Sequence, residues 1–301
     1  MNTDLKTKEL KGQATRPIVA RRQRLLHSHH GFLIIQKVIL LFLTMLFDGD
    51  QIRSVSDLVR AVDSTRARAT RVPIWYRGAT NSDYKLVPSL GRAPFQLENE
   101  RGLMNIFKQN AVQFIDQRPQ SQWEWLFMAR HHAIPTRLLD WTESALIALY
   151  FATHSVDKTT KNDRKDGALW LLLPTKLNEE AGIKPTDKRE LPIFEDDDEQ
   201  LQNYLPTKLA SEHTSRLTPA AGIAVRHSKR MQAQHSVFTV THRDQTPIES
   251  VGGGLHIGRY IIPSSSKPRI RRQLDALKID SLSVFPELDN AAGLARRPYD
   301  G

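Results

Sequence analysis

The sequence predicts an α+β fold, with a mixed, mainly antiparallel β core flanked by helices. Three observations predict it. Helical and extended segments alternate irregularly, without the regular βα repeat of a doubly wound sheet. Ala168 to Leu173 (ALWLLL) is a short apolar run closed by Pro174, as in a buried strand. The C-terminal third adds short strand-like runs at Val237 to Thr241 and Gly258 to Ile262. With 301 residues, 40% hydrophobic and 25% charged, the chain can bury a sizeable core as one large domain or two small ones.

The elements can be taken in order. Residues 1–50 form an extension that is polar and basic to Arg24 and apolar from Gly31 to Phe47, with Gln36 and Lys37 inside the apolar run. A membrane span needs roughly 20 apolar residues. Segment 31–47 is therefore expected to be a peripheral or buried helix, or part of a dispensable N-terminal extension, with a weak membrane anchor as the lesser alternative. No small-residue cleavage site of a secretory signal follows it. The globular pattern begins at Gln51. Ser54 to Val62 reads as a helix with Val55, Leu58 and Val62 in helical spacing, and Ile74 to Tyr76 as a short strand. Glu100 to Asp116 reads as a helix with Leu103, Phe107, Ala111 and Phe114 on one stripe. Ser121 and Glu124 have capping-box spacing, so a helix starts there and stops before Pro135.

Leu138 and Leu139 are extended, and Glu143 to Thr153 returns to helix with Asp140 and Glu143 as cap partners. Residues 176–215, which include the acidic run Glu195 to Glu199, read as a partly helical surface insertion. Pro268 to Leu277 is a closing helix, Asp280 to Leu288 a terminal strand or turn, and residues 291–301 a tail. The expected division is an extension (1–50), a domain (51–290) and that tail.

Composition removes several chemistries. There is no cysteine, which excludes disulfide scaffolds, thiolate metal sites and thiol nucleophiles and fits a cytoplasmic, reducing compartment. The net charge of +10 favours anionic partners, namely nucleic acid, nucleotides or an acidic membrane, unless the chain is simply a soluble basic protein. The partner expected from the chain as a whole is a nucleotide or other anionic ligand, with nucleic acid or a protein target as alternatives and a membrane disfavoured. His131 and His132 lack the spaced partner of a metal-binding helix, so no metal is expected. No P-loop and no nucleophile elbow occurs. Gly252-Gly253-Gly254 lacks dinucleotide-loop spacing and reads as a hairpin tip.

Three polar-aromatic stretches remain. Trp75-Tyr76-Arg77-Gly78 ends a strand, where Gly78 permits a turn and the Arg77 fork can grip phosphate or, alternatively, close a structural ion pair. His131 to Thr142 places Trp141 as a stacking platform and Asp140 or Thr142 before a helix, or else these residues only pack and cap. In Arg230 to Thr239, Arg230 and Gln234 stand four apart and can share a helical face. The three stretches are expected to meet in one cleft.

On these residues the chain from about Gln51 to about Leu288 resembles the FRG domain family. The resemblance rests on four blocks in the family's order: Tyr76-Arg77-Gly78, Tyr84 to Arg92, His131 to Ala152 and Gln234 to Val240. Ala133 and Ser236 stand where glycine is usual. The chain also looks similar, more faintly, to ADP-ribosyltransferases of the Arg-Ser-Glu type. Tyr76-Arg77 matches their first motif, Asp140-Trp141-Thr142 leading to Phe151-Ala152 the second, and Gln234 the position of the glutamate.

That similarity implies an ADP-ribosyltransferase-like fold with NAD as substrate. By position, Arg77 would hold the NAD phosphates or ribose, and Trp141 and Thr142 the nicotinamide side. Gln234 would keep the glutamate's hydrogen bonds without its charge, with Asp140 as the substitute carboxylate. The implied catalytic set is Arg77, Gln234 and Asp140. The implied ligand-binding set is Tyr76, Gly78, His131, Arg137, Trp141, Thr142 and Arg230. The implied function is an NAD-dependent ADP-ribosyltransferase or NAD-cleaving effector of a bacterial toxin or antiphage system. A non-catalytic nucleotide- or nucleic-acid-binding module is the alternative, and a nuclease-like hydrolase using His131 and Asp140 a third reading.

Overall fold

The computed structural model describes residues 51–69, 71–92, 97–155, 162–183, 187, 189–211, 217–243, 245–296 and 299. The extension 1–50 and its apolar segment 31–47 lie outside the described residues. The chain divides into Met1–Met45 and Leu46–Gly301, and every described residue belongs to the second unit.

Six strands form one sheet: β1 (Trp75–Ala79), β2 (Leu138–Thr142), β3 (Gly167–Leu172), β4 (Ala220–Gly222), β5 (Ser236–Val240) and β6 (Ile257–Ile262), in the order β4-β5-β2-β1-β3-β6. All neighbours pair antiparallel. Most junctions are full ladders: Leu138 to Thr142 pairs with Val240 back to Ser236, and Trp75 to Ala79 with Leu172 back to Ala168. The central junction is not. β1 and β2 share one partner pair, Tyr76 with Thr142. Two three-stranded halves therefore meet at a seam that opens beyond that pair.

The period-2 alternation of strands sorts side chains between two apolar clusters. Leu138, Ala220, Phe238 and Val240 join Trp123, Leu126, Phe127 and Phe194 in one. Trp75, Leu139, Trp141, Trp170, Leu172 and Val237 join Ile248 and Val251 in the other. β3 is buried along its whole length, as its continuous apolar run predicts.

The helices are α1 (Val55–Arg68), α2 (Glu100–Ala111), α3 (Gln122–His131), α4 (Ala145–Thr153), α5 (Pro174–Glu180), α6 (Pro206–Ser211), α7 (Lys229–Ala233), α8 (Lys267–Ala276), α9 (Ser281–Val284) and α10 (Leu288–Arg296). Helix α4 lies across β1 and β3, with α1 and α8 packed on it. Among the described residues no helix is long and apolar enough to cross a membrane. The Ser121 hydroxyl caps α3 by accepting the Glu124 N–H at 3.0 Å. The Glu124 carboxylate receives the N–H of Gln120.

Several sequence expectations are corrected. The α4 cap is Ser144, whose hydroxyl accepts the Ile147 N–H, because Asp140 belongs to β2. Helix α2 ends at Ala111 and tightens into a 3₁₀ turn, which leaves Phe114 80% exposed, while Met104 takes the buried place on the stripe. The stretch 176–215 is no mere surface insertion. Leu177, Phe194, Leu201 and Tyr204 are core residues, and the Asn178 amide both donates to the Ala221 carbonyl and accepts its N–H, fixing β4. Isolated apolar residues among acidic ones carry no period that would have revealed this. Within the acidic run Asp198 is a turn former that accepts the N–H groups of Ile193, Gln200 and Leu201.

Two further corrections lie toward the C-terminus. Ser281–Val284 is a helical turn closed by a capping box on Asp280, neither strand nor simple turn. The three glycines, all at positive φ, sit in a kinked 3₁₀ segment before β6 and not at a hairpin tip.

Ala133, where the family resemblance expects glycine, adopts φ 61°. This left-handed turn ends the α3 region, and a Cβ is strained there. Ala133→Gly is expected to stabilise the domain by about 0.5–1 kcal/mol, net of the added freedom of the unfolded chain. Urea unfolding of both proteins measures it, and a loss of stability would contradict the strain.

Candidate functional site

A cavity of about 500 Å³ opens at the seam. The three polar-aromatic stretches converge on it: Tyr76, Arg77 and Gly78 from β1, Asp140, Trp141 and Thr142 from β2, and Arg230, Gln234 and Ser236 from α7 and the start of β5. The end of α3 adds Phe127, Arg130, His131 and Ala133. Every residue of the sequence-derived site except Arg137 lines this space.

The seam itself explains Arg77. Where β1 and β2 part, the Asp140 carbonyl has lost its ladder partner, and Arg77 Nη1 donates to it. The Asp140 carboxylate is gripped by Arg130 through Nε, at 3.1 and 3.2 Å, and through Nη2. Arg130 also donates to Ser89 Oγ at 3.1 Å. Burial pushes the Arg77 guanidinium down to about 10, Arg130 and Arg92 push the same way, and Asp140 opposes them. Arg77 thus stays charged at neutral pH while poorly solvated, which is the condition of an anion-seeking group. Burial alone would raise the Asp140 carboxyl, but Arg130 and then Arg77 hold it below the ordinary carboxylate range. Side-chain exposures of 21% for Arg77 and 25% for Arg130 keep both within reach of a ligand.

Gly78 has a steric role. A Cβ there would lie 1.9 Å from the Ala148 carbonyl oxygen and 2.5 Å from the Ala152 nitrogen. Only glycine lets α4 rest on β1 this closely.

Thr142 ties the end of β2 to the turn after α7. Its hydroxyl donates to the Gln234 carbonyl at 2.6 Å and accepts the Ser144 N–H. The Gln234 side-chain amide donates to the Val284 carbonyl at 3.2 Å, which brings Phe285 over the cavity. The Arg230 guanidinium stacks on the Phe285 ring at 4.7 Å, and Phe285 meets Phe151 edge to face at 5.7 Å. Beyond it, Glu287 Oε1 stands 3.5 Å from Arg230 Nη1 and 3.8 Å from His131 Nε2. His131 titrates below its ordinary value because it is buried and faces Arg230 and His132, with Glu287 opposing.

Three placements differ from the sequence reading. Arg137 is turned away into a buried ion pair, its Nε and Nη2 on the Glu100 carboxylate, with both side chains at most 4% exposed. It belongs to a structural pair and not to the ligand set. Trp141 is core: its indole packs in the second apolar cluster and its Nε1–H donates to Thr239 Oγ1 at 3.0 Å, so it offers no free stacking face. Tyr76 is 2% exposed and its hydroxyl interacts with Arg66 of α1. No hydrogen bond joins His131 to Asp140 among the described residues. Among those residues, too, no group of three His, Asp or Glu could hold a metal ion.

Sequence reasoning missed Arg130, Phe285 and Glu287. Arg130 directly precedes the His131 block and could have been read as a partner for Asp140 across the Pro135 turn. No signal pointed to the other two.

No curated protein and no solved structure matches the chain. Residues 72–161 match the family model of the FRG domain, a stretch that contains both Tyr76-Arg77-Gly78 and the block from His131 to Ala152. The cavity's central pair of strands, β1 and β2, lies within that match, and residues 72–161 of the chain carry an FRG domain.

Proposed function

We propose that the seam cavity is a nucleotide site and that its ligand is NAD. The observation that carries this reading is the convergence of three guanidinium groups, Arg77, Arg130 and Arg230, within walls made by Phe127, Phe151, Phe238 and Phe285. Guanidinium forks recognise phosphate, and aromatic walls suit the base or the nicotinamide ring. One carboxylate, Asp140, faces these cations from within the cavity lining, so the field favours an anion. The arrangement parallels the similarity to ADP-ribosyltransferases, and on that basis the reaction assigned is cleavage of the nicotinamide–ribose bond in an effector of toxin or antiphage type. Such cleavage calls for negative charge beside the developing oxocarbenium. We assign that role to Glu287, whose carboxylate stands beside Arg230 and His131, two residues of the cavity lining.

A second reading, binding without catalysis, is favoured by Gln234. It is neutral, its amide is engaged by Val284, and Asp140 is neutralised by Arg130.

Arg77→Lys tests the site. Lysine keeps the charge and loses the planar fork. Calorimetric affinity for NAD and ADP-ribose is expected to fall about tenfold or more, as for a lost charge-assisted hydrogen bond of about 1.5–3 kcal/mol. Stability should fall by no more than about 1 kcal/mol, because lysine can still donate to the Asp140 carbonyl. Unchanged affinity beside a large loss of stability would make Arg77 a scaffold residue and overturn the reading. Nicotinamide release followed by NMR separates catalysis from binding.

A further inference from the structure

We infer that the corner where β1, β2 and α3 meet the turn Ser89–Gly91 binds a phosphomonoester, the terminal phosphate of a ligand, and that Arg92 forms its outer wall. This goes beyond the NAD reading, because the phosphates of NAD are bridging groups with a single charge each.

The turn is fixed from two sides. Leu90 is fully buried, and its N–H donates to the Thr136 carbonyl at 3.3 Å. Ser89 Oγ accepts from Arg130 Nη1 at 3.1 Å. Arg92 caps the turn, its N–H donating to the Ser89 carbonyl at 3.1 Å. The Arg92 side chain folds back on the Val87 carbonyl, with Nη2 at 2.6 Å and Nε at 3.1 Å. Arg92 Nη1 has no partner among the described residues. Arg77 likewise uses Nη1 on the Asp140 carbonyl and leaves Nε and Nη2 without one.

Charge decides what fits this corner. Among the described residues, Arg77, Arg92 and Arg130 share one carboxylate, that of Asp140, so two positive charges are in excess. The cations act on one another. Desolvation lowers the Arg77 guanidinium, Asp140 opposes, and Arg130 and Arg92 lower it further. Desolvation also lowers Arg92, Arg130 adds to it, and Tyr84 and Asp140 oppose. The structural cation of this fold is matched one to one, as Arg137 is by Glu100. A phosphomonoester brings about two charges and three terminal oxygens, one for each guanidinium fork. A bridging phosphate brings one charge and leaves the excess half compensated.

The experiment is calorimetry on the full chain with two ligand pairs that differ by a terminal phosphate: NADP against NAD, and 5′-phosphorylated against unphosphorylated tetrathymidylate. In the wild type the phosphorylated member of at least one pair is expected to bind about tenfold or more tightly, the gain of a charge-assisted hydrogen bond. The pair that shows the preference names the source of the phosphate. Arg92→Gln removes the charge, and its amide can still reach the Val87 carbonyl. This variant should bring the preferred pair to within about threefold, with the affinity for the unphosphorylated member unchanged within about twofold, since Arg92 lies outside the seam-cavity lining. An intact preference in the variant would overturn the assignment. A parallel fall of both members would overturn it too, because Arg92 would then act on the fold and not on the phosphate. Equal binding within both pairs of the wild type would remove the corner and leave the NAD reading standing. A preferred phosphorylated oligonucleotide beside no binding of NAD would do the reverse, and binding of none of the four ligands would remove both.

Discussion

Gly78→Ala is expected to lower the melting temperature by about 10 °C. The added Cβ would meet the Ala148 oxygen and the Ala152 nitrogen at 1.9 and 2.5 Å. Both are helix backbone, so no rotamer change relieves the contact, and α4 must move off β1. Overpacking a well-filled core costs about 1–3 kcal/mol, and a backbone obstacle places this case at about 3 kcal/mol or more. For a domain of this size that corresponds to roughly 6–12 °C. Gly102→Ala is the control. Gly102 lies in α2 with nothing within 4 Å of the new Cβ, and alanine there should stabilise slightly. A Gly78→Ala shift of less than about 2 °C would show that α4 and β1 do not approach as described.

Breaking the Glu100–Arg137 pair is the second large effect. Both groups are buried, and removing the carboxylate leaves a guanidinium without its counter-charge in the core. Glu100→Ala is expected to cost about 3–5 kcal/mol in urea unfolding, the usual range for a buried charge left alone. The double change Glu100→Ala/Arg137→Leu should recover most of it, since two apolar residues replace two desolvated charges. A single-variant cost below about 1 kcal/mol, or no recovery in the double variant, would sink this account of Arg137. Ligand affinity of the folded double variant should match the wild type, because Arg137 lies outside the cavity.

The sequence carried five of the six strands and the chemistry-bearing blocks because each has a local cause, while β4 went unread. β3 is a continuous apolar run before a proline, and β5 starts where a polar turn ends; Gly78, by contrast, reads in the sequence as a turn former and lies inside β1, where close packing of α4 requires it. What stayed hidden depends on contacts between distant segments. Arg130 stands five residues before Pro135 and Arg137 two after it, and nothing in their neighbourhood tells which faces the cavity and which faces Glu100. Phe194 and Tyr204 enter the core from an acidic stretch with no hydrophobic period. Phe285 and Glu287 reach the site because the Gln234 amide holds the Val284 carbonyl, a contact fifty residues away in sequence. Trp141 illustrates the converse error: β2 alternation places it with Leu139, on the face opposite Asp140, and a motif read as a unit concealed that parity.

β1 and β2 share a single partner pair, and the Arg77 hydrogen bond to the Asp140 carbonyl is a side-chain link across the same junction. Any ligand that touches Arg77 on β1 and Arg130 on α3 or Arg230 on α7 ties the two halves together beyond what the backbone supplies. Occupancy and cohesion of the sheet then become one thermodynamic quantity. A ligand present at a hundred times its dissociation constant would add about 2.7 kcal/mol to the stability of the whole domain. Amide hydrogens at the β1–β2 junction would report that gain as slower exchange.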